Sequence, residues 1–148
     1  MRMPVLGLAV VCLLGAAAIV PAAHAANNTP TVEVPDLSTV RAEIKAKKYD
    51  AALAELKVLV VNYQTPDVYS LLGHALWKTG DWRQGMTYYD KALAIDPSHK
   101  GALEYQGELY IELGQLDLAK QNLAKLSHLC WFGCEEEDQL KAALAHAP

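Results

Sequence analysis

The stretch from Thr65 to His99 (TPDVYSLLGHALWKTGDWRQGMTYYDKALAIDPSH) constrains this chain more than any other feature. It reads as two short amphipathic helices meeting at Lys78-Thr79-Gly80-Asp81, and its pattern returns 34 residues later. Gly73, Gly80 and Gly85 recur as Gly107, Gly114 and Ala119, while Trp82 and Tyr89 recur as Leu116 and Leu123. A fixed period of that length marks a helical repeat array, in which no unit buries its apolar face alone and neighbours stack into one core.

The small residues have a packing reason. Glycine costs roughly 1 kcal/mol against alanine in a helix interior, so Gly73 and Gly107 in mid-helix predict close helix crossings. Tyr69, Leu72, Leu76, Trp82, Tyr89 and Leu93 are expected to fill the space between the crossing helices. Gly80 and Gly114 suit the left-handed residue that ends a first helix. Pro97 stops the second helix, after which Ser98 is expected to cap the next.

These residues resemble the tetratricopeptide repeat. Between Thr65 and His99 the family's pattern is met at Leu72, Gly73, Gly80, Asp81, Tyr89, Ala92 and Pro97, with Tyr69 in place of the usual Trp and Gly85 in place of Ala. Gly107, Tyr110, Gly114 and Ala119 fit in the next repeat, although Gln106 replaces a Leu and Leu126 a small residue. The resemblance implies an all-α fold, a right-handed α-α superhelix of about three helix-turn-helix repeats, and a binding role rather than catalysis.

The flanks complete the organisation. Met1-Arg2-Met3, the apolar run Val5 to Val20, and Ala23-His24-Ala25 read as a secretory signal peptide over 1–25, cleaved after Ala25. The expected compartment is therefore the periplasm or the exterior. Residues 26–35 are polar and carry two prolines, as a flexible leader would. The repeat domain is then 36–145, with repeats at about 36–64, 65–98 and 99–131. In the first repeat Asp36 or Ser38 is expected to cap the opening helix, and the turn glycines are missing. Residues 135–145 (EEEDQLKAALA) begin acidic, which suits a helix N-terminus, and should form a capping helix over repeat three. Seven helices are expected in all.

Losing Arg2 with the leader takes the net charge from −4 to −5. No basic stripe exists for nucleic acid or anionic membrane. No His-Glu-x-x-His, phosphate-cradling glycine loop or Gly-x-Ser-x-Gly elbow appears, so neither an enzyme nor a cofactor is expected.

The mature chain keeps Cys130 and Cys134. An even count in an exported chain favours a disulfide, with Gly133 providing the turn and Trp131-Phe132 as core filler. Two other readings remain open: a thiol-redox pair, and a soft-metal site of His128, Cys130 and Cys134, as for copper.

In this family the first helix of each repeat lines a concave groove. The register puts Arg41, Ile44 and Lys45 there from repeat one, and Ser70, His74, Trp77 and Lys78 from repeat two. Glu104, Tyr105, Glu108, Ile111 and Glu112 come from repeat three. Trp77 and Ile111, at equivalent positions, are expected to be exposed anchors flanked by charge, as a peptide groove needs. The family's Lys, Asn and Arg clamp for acidic peptides is absent, with Ser70, His74 and Tyr105 near its positions. The expected partner is a protein or peptide segment that is neutral, or basic toward Glu104, Glu108 and Glu112. A structural subunit of a larger assembly, with Trp77 buried between copies, is the alternative.

Overall fold

A computed structural model describes residues 34–147. The expected signal peptide, its cleavage site and most of the leader lie outside the described residues. Seven α-helices follow one another, with no strand among the described residues. They are α1 (Ser38–Lys45), α2 (Tyr49–Asn62), α3 (Pro66–Lys78), α4 (Trp82–Ile95), α5 (Lys100–Glu112), α6 (Leu116–Leu129) and α7 (Glu135–Ala145). α1–α2, α3–α4 and α5–α6 pair as hairpins, and α7 lies against both α5 and α6. Stacked in this order they form an all-α repeat superhelix.

Local chemistry explains where each helix starts and stops. Thr65 Oγ1 accepts the Val68 N–H at 3.3 Å, with Pro66 in the first turn of α3, where its missing N–H costs nothing. Asp81 Oδ1 accepts the Gln84 N–H at 3.1 Å to open α4. α5 is capped by His99, not by Ser98: His99 Nδ1 accepts the Ala102 N–H at 3.1 Å. Ser98 is occupied instead, its backbone N–H and hydroxyl both donating to Asp96 Oδ1. At the start of α1 the cap position is Leu37, and Asp36 Oδ1 accepts the Ser38 N–H at 2.9 Å just before it.

The hairpin turns place Gly80 at φ 104° and Gly114 at φ 73°. Lys47 fills the same position in the first hairpin at φ 58°, so the turn persists there with a residue that pays a steric penalty for it.

Within repeat two, α3 and α4 cross at two glycines. A Cβ on Gly73 would stand 2.9 Å from Gly85 O and 2.8 Å from the Tyr89 ring, and Tyr89 is fully buried. Gly107, the equivalent of Gly73, makes room for a different element. A Cβ there would meet Leu140 of α7 at 2.6 Å. Leu140, Leu103 and Leu126 form the last core cluster, so α7 covers the apolar face that repeat three would otherwise expose.

Cys130 and Cys134 are joined in a disulfide, with alpha carbons 5.4 Å apart, between the end of α6 and the start of α7. Trp131 and Phe132 are not core filler. They are 83% and 96% exposed, because α6 has already ended and the short bridged loop carries them outward. Leu126 and Leu140 fill the core in their place.

Candidate concave binding site

The first helices of the hairpins lie side by side, α1 against α3 and α3 against α5, and α7 extends the row beyond α5. Their shared face encloses a cleft of about 450 Å³. Every lining residue comes from α1, α3, α5, α7 or the His99 cap; none comes from α2, α4 or α6.

One wall is electrostatically closed. Arg41 Nη2 donates to Asp67 Oδ1 at 2.7 Å, and His99 Nε2 stands 3.5 Å from the same oxygen. Because His99 Nδ1 accepts the Ala102 N–H, the neutral ring carries its proton on Nε2, facing Asp67. His99 and Arg41 together hold the Asp67 carboxyl down at about 2.

The rest of the lining is open. Ser70 and Glu104 are 1% and 4% exposed, yet Ser70 Oγ and Glu104 Oε1 have no hydrogen-bond partner among the described residues. Burial, reinforced by Glu108, Glu136 and Glu135, pushes the Glu104 carboxyl up to about 8. Tyr105 lies beside it, its phenol raised to about 12 by burial and by Glu104. Beneath, the buried His74 ring stacks on Tyr105 with centroids 4.0 Å apart and meets Trp77 edge-on at 5.6 Å. Burial, and then the Lys78 charge, lowers His74 to about 3, so this imidazole is neutral in the folded protein.

The cleft therefore gathers four of the expected groove residues, Arg41, Ser70, Glu104 and Tyr105, with His74 buried under them. The others lie elsewhere. Trp77 is not an exposed anchor. It is 7% exposed, packs with Tyr89 and Leu109, and donates from Nε1 to Glu112 Oε2 at 2.9 Å. The close α3–α4 crossing is the reason, since a Cβ on Gly85 would come within 3.2 Å of Trp77 Cβ. Lys78 Nζ sits 3.3 Å from the centre of the Trp77 ring and covers it from solvent. Ile111 turns away toward Leu103, Leu126 and Leu140, and Ile44 packs on the first core cluster. Lys45 and Glu112 are exposed and Glu108 half-buried, all outside the cleft lining.

Asp67, His99, Glu135, Glu136 and Gln139 line the cleft without having been singled out for it. The acidic first turn of α7 was visible in the sequence. Its position as a further wall of the cleft follows from Leu140 docking into the Gly107 gap. Among the described residues, no group of three or more His, Cys, Asp or Glu is arranged to hold a metal ion.

Comparison with known proteins agrees with this architecture. A family model described as Tetratricopeptide repeat matches residues 66–99, and a second with the same description matches residues 88–121. No curated protein matches the sequence. Among solved structures, the chain is similar to PcrH in complex with the chaperone binding region of PopD, at a TM-score of 0.59 and 19% identity. That likeness covers 72% of this chain and 81% of the other, and it is a likeness of fold. The first match spans the α3–α4 hairpin and the second runs from within α4 through α5 into α6, so residues 66–121 carry tetratricopeptide repeats.

Proposed function

We propose that this protein is an interaction scaffold that holds a segment of a partner polypeptide along the concave face of α1, α3, α5 and α7. The observation that carries this is the cleft itself, lined from first helices and α7 and holding buried polar atoms that have no partner among the described residues. A buried polar atom without a partner costs roughly 1–3 kcal/mol, which a ligand group recovers on binding. The PcrH structure, which contains the chaperone binding region of PopD, supports a polypeptide as the occupant. With residues 1–25 read as an export signal, the working compartment is the periplasm or the exterior. The Cys130–Cys134 disulfide supports an oxidising compartment.

Site-specific photo-crosslinking in the producing cell tests this reading. A crosslinker at Arg41, on the cleft, should trap a partner, whereas one at Val58, on α2 and 70% exposed, should not. Trapping at Val58 with none at Arg41 would place the contact on the outer helices and end the proposal.

A further inference from the structure

Glu104 and Ser70 occupy equivalent positions in successive repeats, 34 residues apart, and both line the cleft. Each is more than nine-tenths buried, and each presents an oxygen, Glu104 Oε1 and Ser70 Oγ, that has no partner among the described residues. Across the mouth stand Glu135 and Glu136 from the first turn of α7. Glu135 is engaged along its own helix by Gln139 Nε2 at 2.7 Å. On the far side Arg41 is spent on Asp67, so its charge does not compensate Glu104. The cleft thus gathers the oxygens of Glu104 and Ser70, with the acidic residues Glu135 and Glu136 at its mouth. Among the described residues, Lys100, at the rim, is the one further lysine or arginine lining it.

From this arrangement we infer that the cleft is a subsite for the cationic head of a partner's Lys or Arg side chain, seated on Glu104 and Ser70 with Glu136 at the mouth. The inference rests on the concave-face reading and narrows it to one chemistry. An ammonium or guanidinium donates only, which suits the ionised Glu104 carboxylate and the lone pairs of the Ser70 hydroxyl. Leu71 and Tyr105 also line the cavity and offer apolar surface to the aliphatic stem. A charge-assisted bond to a carboxylate in such a site is stronger than a neutral one. Seating a cation also draws Glu104 into its ionised form, releasing the proton that burial otherwise keeps on it. Binding should therefore tighten as pH rises. The charged groups acting on Glu104 are Glu108 on its own helix and Glu135 and Glu136 on α7, while Arg41 on α1 and Lys100 on α5 also line the cleft. Asp67 and His99 complete the far wall.

The test is an amide NMR titration of the oxidised protein with two capped pentapeptides, Ala-Ala-Arg-Ala-Ala and its counterpart with uncharged citrulline. The expected result is at least tenfold tighter binding of the arginine peptide at pH 8, with shifts centred on Ser70, Glu104 and Glu136. That preference should fall below twofold in Glu104→Gln and weaken from pH 8 to pH 6 in the parent. Glu136→Gln, at the cleft mouth, should reduce the preference about threefold, and keeps the test decisive if Glu104→Gln does not fold. Equal binding of both peptides with shifts on α3 and α5 would overturn the cation subsite while leaving the concave face as the binding surface. Shifts confined to α2, α4 and α6 would overturn both. No saturable shift with either peptide, or tighter binding of free putrescine than of the arginine peptide, would also overturn the assignment to a side chain.

Discussion

Two polar residues on α5 are buried to the same degree, 4% exposed each, and are treated in opposite ways. Gln106 faces α4 and α6 and is fully engaged. Its Nε2 donates to Asp90 Oδ1 at 2.8 Å, and its Oε1 accepts from Asn122 Nδ2 at 3.0 Å. Asn122 Nδ2 also donates to Leu103 O at 3.1 Å, tying α6 to the backbone of α5. Glu104, two residues earlier, faces the cleft and has an orphaned oxygen. A closed polar network fixes how helices pack; an open one holds capacity for something outside the chain. The outer side of α5 is thus structural and the inner side available.

Substitutions that separate the two sides follow from this contrast. Trp77→Ala should have the largest effect, roughly 3–5 kcal/mol lost in urea unfolding, because it empties a buried aromatic site beside Tyr89 and Leu109. A loss below 1 kcal/mol would return Trp77 to the surface role first expected of it. Asn122→Leu should cost roughly 2–3 kcal/mol, since Gln106 Oε1 and Leu103 O lose their donor, while peptide binding in the cleft stays unchanged. Ser70→Ala, which removes a hydroxyl that has no partner, should leave stability within about 0.5 kcal/mol and weaken binding instead.

The pH dependence gives the next effect. Unfolded Glu104 ionises near 4.5, whereas in the folded protein it keeps its proton to about 8. The unfolded chain therefore binds fewer protons in between, and stability present below pH 4.5 is lost as pH rises through about 8. His74 acts in the other direction. Its neutral form contributes stability above pH 6.5 that is lost as pH falls toward about 3. Between pH 6.5 and 8 the His74 contribution rises by only about 0.4 kcal/mol, while wild-type stability should fall by about 1.5 kcal/mol through Glu104. Glu104→Gln should remove that fall. Lys47→Gly should have a modest effect, a gain of about 0.5–1 kcal/mol from relieving the left-handed turn. It should leave the cleft's binding unaltered.

Much of the fold was legible because the 34-residue period carries helix length, turn position and crossing points together. Gly80 and Gly114 announce the hairpin turns, and Gly73 announces a crossing that the structure places against Gly85. What periodicity does not carry is which neighbour a residue meets. Trp77 and Ile111 share a register position, but Trp77 lies over the α3–α4 crossing while Ile111 meets Leu140 of α7. His99 displaced Ser98 as the α5 cap because Asp96 already holds Ser98 through two hydrogen bonds. Trp131 and Phe132 read as core by composition, yet a five-residue bridged loop leaves no wall for them to pack on. The cleft was half legible. Arg41, Ser70, Glu104 and Tyr105 came from the register, whereas Glu135 and Glu136 required knowing that α7 lies beside α5, and Asp67 that it pairs with Arg41 across α1 and α3.

The contrast across α5 comes down to the state of one carboxyl group. A carbon-detected NMR titration of Glu104 in the free, oxidised protein measures it directly. A midpoint near 8, dropping when the arginine peptide is added, is the expected result. A midpoint near 4.5 that does not respond to the peptide would mean that Glu104 is solvated like any surface glutamate and that the cleft holds nothing open.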